Sequence, residues 1–288
     1  MKKVISILTC LCLLMTTGCS RQETIRFGAA GVGGMYYPFA NAFTELASKD
    51  ETGINWKVKS TAGSAANLRL LSDNYIELGI AQADLIEDAY YGKGSFHSGK
   101  YRGYKAVASL YPEACQIVVR KDSDITSLDD LEGKNVSVGE EESGTERNAT
   151  QILEMCGLPD NLVNTKNLDY TDAADQLAEK KIDAFFCTAG ICTTVIEELT
   201  KECDIRLLEI PESCRQKLKK AYSFYDDYVI PAGTYSGQTE DIQTISVQSV
   251  LLASSTLSEK TVQKLTASLF KHCLLYTSPS PRDPKTSR

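Results

Sequence analysis

Histidine and tryptophan are scarce, with two of the first and one of the second among 288 residues. Two histidines cannot furnish a histidine-rich metal centre, and a single tryptophan without interleaved basic residues leaves little on which bases could stack. Excess positive charge is missing as well: the formal net charge is -7, so the basic face that nucleic-acid affinity requires is not encoded. Several catalytic signatures are also absent. There is no G-x-S-x-G elbow, no H-E-x-x-H helix and no G-K-[ST] to complete a phosphate loop, and Ser143 has no neighbouring histidine to act as its base. No stretch after residue 22 is long and apolar enough to span a bilayer. These gaps predict a non-enzyme with no metal, no cofactor and no nucleic-acid partner.

What is present starts with the leader. Residues 1–22 carry Lys2 and Lys3, then an apolar run from Val4 to Met15, then small residues up to Cys19, which is the outline of an export signal. The segment resembles a bacterial lipoprotein signal, which implies a diacylated Cys19, a lipid anchor and an extracytoplasmic location. Thr16 stands where such signals favour leucine, so an ordinary cleaved signal peptide stays open. Beyond the leader lie Cys115, Cys156, Cys187, Cys192, Cys203, Cys214 and Cys273, with no C-x-x-C spacing among them. Free buried thiols are the expectation; a bridge, if present, would close a short loop as Cys203 with Cys214 or Cys187 with Cys192.

Hydrophobic residues make up 42% of the chain, enough for two lobes of ordinary domain size. Their periodicity alternates short apolar strands with amphipathic helices, the pattern of a parallel sheet covered on both faces. Strands are expected at 24–28, 54–59, 77–81, 105–110, 116–120, 135–138, 183–187 and 205–210. Helices are expected at 35–48, 65–72, 146–156, 172–180, 191–201, 212–222 and 259–272. The segment Ser127-Leu-Asp-Asp130 reads as a box-like N-terminal cap and Gly157 as a helix stop. The fold class is therefore α/β with two lobes: lobe 1 over 23–113 plus a returning segment 240–272, and lobe 2 over 114–239. The hinge is placed at 109–115, where Tyr111-Pro112-Glu113 interrupts two strands, with a second crossing between 228 and 244. The last residues, 273–288, lose all periodicity and resemble translated adapter read-through, so they are expected to be foreign to the protein. A disordered native tail is the alternative.

The strongest local signal is the glycine-rich run from Phe27 to Pro38, between a strand and a helix. Its glycines allow close backbone approach, and the free N–H groups at the helix start favour an anion. It is not a dinucleotide fingerprint, because Tyr36 replaces the third glycine of G-x-G-x-x-G. The turn from Ser60 to Asn67 repeats the device with hydroxyls. Gln82 and Asp84 follow a strand directly, while Ser143-Gly144-Thr145 and Thr188-Ala189-Gly190 supply similar turns in the second half. In open parallel sheets the ligand crevice lies at the carboxyl ends of strands, so these turns are expected to face one another. The ligand-binding set is therefore Gly34, Met35, Tyr36, Ser60, Thr61, Ser64, Asn67, Gln82, Asp84, Ser143, Gly144, Thr145, Ala189 and Gly190. Glu140, Glu141 and Glu142 read as a solvated run, and Arg69 and Arg147 as surface residues that a ligand carboxylate would otherwise engage.

Taken in order, Gly-Val-Gly-Gly-Met-Tyr-Tyr-Pro38, Ser60-Thr-Ala-Gly-Ser, Gln82-x-Asp84, the stretch from Asp130 to Gly139 with Ser143-Gly-Thr145 after it, and Tyr235-x-Gly-Gln238 resemble the TAXI family of solute receptors. That family serves tripartite ATP-independent periplasmic (TRAP) transporters. The resemblance runs from residue 25 to residue 272, with Ala62 where a second motif glycine is common. It implies a type II periplasmic-binding-protein-like fold with the ligand cleft between the lobes. It also implies a small organic anion or amino acid as ligand (glutamate-like or a dicarboxylate) and the permease subunits of a TRAP transporter as partners. Two other readings stay open: a periplasmic sensor, and an enzyme on the same scaffold using Cys187 as nucleophile.

Overall fold

The computed structural model describes residues 23–50, 53–159 and 161–272. The leader with Cys19, and the segment 273–288 with Cys273, lie outside the described residues. The first half contains β1 (Glu23–Gly28), α1 (Tyr36–Asp50), β2 (Ile54–Lys59), α2 (Ser64–Ser72), β3 (Leu78–Gln82) and α3 (Ala83–Tyr91). A long strand, β4 (Tyr104–Arg120), leads into β5 (Asn135–Ser137), α4 (Gly144–Met155), β6 (Asn164–Lys166), α5 (Tyr170–Ala178) and β7 (Ala184–Ala189). Then come α6 (Thr194–Glu202), β8 (Ile205–Leu207), α7 (Glu212–Ala221), β9 (Asp226–Ile230), β10 (Ile242–Ser254) and α8 (Glu259–Lys271).

The strands join in the order β2-β1-β3-β10-β4-β7-β5-β6, with β8 beside β4 and β9 beside β10. Parallel pairing holds β1 to β2 and β3 in one half, and β5 to β6 and β7 in the other. Every antiparallel ladder involves β4 or β10. The architecture is thus two α/β lobes whose parallel sheets are bridged by two long strands running side by side.

Each lobe buries both faces of its sheet, which is why its strands read as apolar runs. In lobe 1, Ile25 and Phe27 meet Phe39 and Phe43 of α1 on one face, the Phe27 and Phe43 rings edge-on at 6.0 Å. Helix α1 forms there because its buried residues Phe39, Ala40, Phe43 and Ala47 recur at helical spacing. On the opposite face, Leu68, Leu71, Leu85 and Phe96 pack beneath α2 and α3. In lobe 2 the pleat sends Ile117, Val119 and Phe186 toward α4 and α7, and Val118 and Phe185 toward α5 and α6.

Three expectations need correction. The residues read as two strands broken at 109–115 form the single strand β4. Pro112 sits in it opposite Gln248, beside an irregularity between Gln248 and Val250 that accommodates the missing N–H. Ser127 to Asp130 cap no α-helix: the Asp130 carboxylate accepts hydrogen bonds from the Thr126 and Ser127 amides and closes a turn before a short 3-10 segment, Asp129–Leu131. The cysteines are not all free, nor paired as expected. Cys156, capping α4, is bonded to Cys214 on α7, with 5.4 Å between their Cα atoms. Short sequence separation is a poor guide here, because the fold lays these two helices against one face of the lobe 2 sheet. Gly157, with φ of 91°, ends α4 as its position suggests.

The bridge closes a loop across 58 residues of separation, which limits the unfolded chain far more than the native one. Reduction, or the double substitution Cys156→Ala with Cys214→Ala, is expected to lower stability by about 2–4 kcal/mol in urea unfolding. A reduced protein that unfolds at the same urea concentration as the oxidised one would contradict this.

Candidate ligand-binding cleft

The carboxyl ends of the parallel strands in both lobes point at the same space. From β1 the chain runs through Ala30 to Gly34 into the first turn of α1, and from β2 through Ala62 and Gly63 into α2. From β3 it passes straight into α3 at Gln82. In the other lobe Glu140 to Ser143 lead into α4, Asp169 leads into α5, and β7 ends at Ala189. These segments enclose a cavity with about 500 Å³ of atom-free space, part of it open to solvent, lined by residues of both lobes. Glu113, from the β4 strand that joins the lobes, also lines it.

The lobes touch across this space. The Ala65 amide in the first turn of α2 donates to the Glu142 carbonyl at 3.1 Å. Arg147 Nη2 donates to Asp88 Oδ2 at 2.8 Å, Asn148 Nδ2 to Asp84 Oδ2 at 3.3 Å, and Arg69 pairs with Glu142 at 2.5 Å. Glycine is required at the seam. Gly63 holds φ of 126°, and a Cβ on it would stand 3.4 Å from the Ser143 Cα. A Cβ on Gly144 would fall 2.2 Å from Gln82 Oε1.

Helix α4 starts at Gly144, capped by Ser143, whose Oγ accepts from the Glu146 amide at 3.0 Å. Its position is fixed by a closed ring: Thr145 Oγ1 donates to the Tyr170 hydroxyl at 2.5 Å, Tyr170 donates to the Thr188 carbonyl at 3.0 Å, and the Thr188 amide donates to Thr145 Oγ1 at 3.2 Å. The first turns of α1, α2 and α4 therefore reach the cavity together, and such turns leave N–H groups for an anion.

Charge at the cavity is one-sided. Glu113 is 2% exposed, and Tyr36 donates its hydroxyl to Glu113 Oε2 at 2.8 Å. Burial pushes the Glu113 carboxyl up to about 8, against the lowering effect of its hydrogen bonds from Tyr36 and Gln82. Behind Gln82, burial likewise raises Asp84 to about 6, and its Oδ1 has no hydrogen-bond partner. No lysine or arginine lines the cavity.

Of the residues expected from sequence, Gly34, Met35, Tyr36, Ser64, Gln82, Ser143, Gly144, Thr145 and Ala189 line the cavity. Ser60 and Thr61 border an adjoining recess that shares Gly31, Ala62, Glu140, Asp169 and Tyr170 with it. Three lie off it. Asn67 is fully buried, its amide donating to the carbonyls of Gly28, Ala29 and Ile80, so it is a strut for the lobe 1 sheet. Asp84 faces Asn148, and Gly190 lies against Met35 and Tyr111. Glu113, Glu140, Asp169 and Tyr170 line the cavity without having been anticipated, and Thr188, named with its turn but left out of the set, lines it too. A lone glutamate heading the apolar run Ala114 to Val119 was the available signal for the first of these. Arg69 and Arg147 keep 24% and 26% of their side-chain exposure but are not aimed at a ligand, since each pairs with a carboxylate across the seam. Cys187 is buried, with its thiol pushed up to about 12, far from the thiolate that nucleophilic chemistry needs. Among the described residues no cluster of His, Cys, Asp or Glu is arranged to hold a metal ion, and no helix is long and apolar enough to cross a membrane.

Comparison with known proteins adds two findings. The sequence matches the NMT1-like family over residues 27–278. Among solved structures, the alkanesulfonate-binding protein SsuA from Xanthomonas axonopodis pv. citri, bound to MOPS, is similar at 17% identity and a TM-score of 0.54, covering 86% of this chain and 72% of that one. An ancestral arginine-binding protein bound to arginine is similar at 15% identity and a TM-score of 0.56, covering 87% and 92%. The substrate binding protein of an amino acid ABC transporter follows at 15% and 0.52, covering 88% and 94%. At these identities the likeness establishes the periplasmic-binding-protein fold.

The raised carboxyls set a pH dependence. Glu113 holds its proton more tightly folded (about 8) than at its ordinary value of 4.5, so its favourable contribution is complete below 4.5 and is lost as pH rises through 8. Asp50, Asp122 and Asp130, lowered to about 2, act only under more acidic conditions. Stability of the ligand-free protein is therefore expected to fall from pH 5 to pH 8 by an amount on the order of a few kcal/mol. Glu113→Gln is expected to remove most of that slope, as read by urea unfolding at the two pH values.

Proposed function

The chain belongs to the NMT1-like family, and from that premise we propose that it is the extracytoplasmic solute-binding receptor of a membrane transporter, closing its two lobes over one small molecule. The observation that carries this reading is the direct contact of the two lobes beside the cavity. Ala65 with Glu142, and Arg147 with Asp88, meet directly across a space lined by three helix starts. Solute bound to the Tyr36 and Ser64 turns completes its hydrogen bonds only when the Ser143 turn arrives, so binding favours the closed arrangement by that difference in contacts. Similarity to binding proteins for alkanesulfonates and arginine supports a small polar solute.

The finer reading follows the TAXI resemblance. The transporter is of the TRAP type, the solute is an organic anion or an amino acid, and Cys19 carries the lipid that keeps the receptor at the membrane beside its permease. In this role the protein catalyses nothing; closure is the output.

Purification without denaturation, followed by native mass spectrometry, is expected to reveal a co-purifying solute of a few hundred daltons or less. Solute at about 100-fold above its dissociation constant should raise the melting temperature by about 5–10 °C. Gly144→Leu, which places a side chain against Gln82 only in the closed form, should abolish that rise while leaving the solute-free protein folded. A solute that stabilises both proteins equally would mean that binding does not use closure across Gly144.

A further inference from the structure

We infer that the solute accepted by this cleft carries a protonated amine and a net charge of zero or above, with its amine seated against Glu113 and the Glu140 and Asp169 carboxylates nearby. The inference rests on the receptor reading and narrows its ligand class away from dicarboxylates.

The first ground is the inventory of charge. Glu113, Glu140 and Asp169 line the cavity and no cationic side chain does. The two arginines close enough to matter are already paired, Arg147 with Asp88 and Arg69 with Glu142. A carboxylate of the solute can be received by the first turns of α1, α2 and α4 through backbone N–H groups. A second one would enter among three acidic side chains with no cation to offset it, in a setting where like charges are poorly screened.

The second ground is what the cavity wall leaves unpaired. Gln82 is 2% exposed and lines the cavity, and its Oε1 accepts from nothing. An acceptor left in this state is matched by a donor on the solute, and an ammonium brings three. The titratable groups surrounding Glu113 all belong to acids: Tyr36 on α1, Asp84 on α3, Tyr170 on α5, Cys187 on β7, and Tyr111 and Cys115 on its own strand. The positive charge that would balance an ionised Glu113 must come from outside the chain.

This assignment fixes the proton balance. Burial holds Glu113 protonated at neutral pH before solute arrives. The ammonium keeps its own proton and displaces the carboxyl's proton to the buffer, so up to one proton is released per solute bound. Affinity rises as pH rises toward 8. A solute carboxylate accepting a hydrogen bond from the protonated Glu113 would give the opposite sign.

The test is calorimetry on the full mature protein with paired probes of similar shape, L-glutamine against L-glutamate and 4-aminobutyrate against succinate, together with L-arginine, in phosphate and in Tris at the same pH. An amine of net charge zero or above is expected to bind, with its more acidic counterpart weaker by about tenfold or more. The observed heat should change with buffer in the sense of proton release. Glu113→Gln, which keeps an acceptor for the Tyr36 hydroxyl, should weaken the amine by about tenfold or more and abolish the buffer dependence. Tighter binding of succinate or L-glutamate, proton uptake, or a co-purified solute that lacks an amine or is net negative overturns this inference and leaves the receptor reading standing. Absence of any binder in the panel and of any co-purified solute removes the receptor reading, and this inference with it.

Discussion

Because β4 and β10 are hydrogen-bonded to each other through the middle of the sheet, the two parallel half-sheets are joined by backbone ladders and not by a flexible linker. Motion between them is confined to bending and twisting of this ribbon, so the strand ends of one lobe can approach those of the other only along a restricted path. The cavity lies between those strand ends, lined by residues of both lobes. Glu113 sits on the ribbon itself, so the group with the strongest electrostatic preference in the cleft also belongs to the element that links the lobes. The irregularity beside Pro112 falls one residue away, at the point where the ladder is least regular.

The electrostatics follow from that placement. Glu113 cannot be moved toward solvent without unpairing the ribbon, and its burial among tyrosines, thiols and a second acid makes the ionised form costly. The chain's nearby cations are used at the seam, where they hold one lobe to the other. The cleft is thereby left with acids, acceptors and helix starts, and whatever enters must supply the missing positive charge.

Much of the scaffold was legible from periodicity. Strand β2 coincides with its expected bounds, and β1, α1, α2 and α7 fall within two residues of theirs, because alternating or helically spaced apolar residues are placed by burial alone. Strand β10 was not among the expected strands, because residues buried on both faces show no alternation, and three further elements lack a periodic signal. Strands β6 and β9 are short, largely exposed edge pieces, and α3 follows β3 without any turn residues to announce it. Helix α5 begins two residues early because Asp169, whose Oδ1 accepts from the Asp172 amide, is its cap. The cleft was legible where glycine and hydroxyl turns follow strands. It was not legible where its chemistry depends on a fold-level meeting, as for Glu113 with Tyr36, 77 residues apart, and the Thr145–Tyr170–Thr188 ring.

The seam itself is thin. Its contacts include two backbone hydrogen bonds, Ala65 to Glu142 and Val195 to Gly33, a long amide-to-carboxylate bond, and two ion pairs whose partners retain between 12% and 43% of their side-chain exposure. Ion pairs of that kind contribute about 0–1 kcal/mol each once screening and side-chain ordering are counted. Against them stands the cost of enclosing Gln82 Oε1 and Asp84 Oδ1 with no donor to meet them. Contacts so weak leave most of the preference for the closed arrangement to the solute's own charge and hydrogen bonds, so that firm closure reports occupancy.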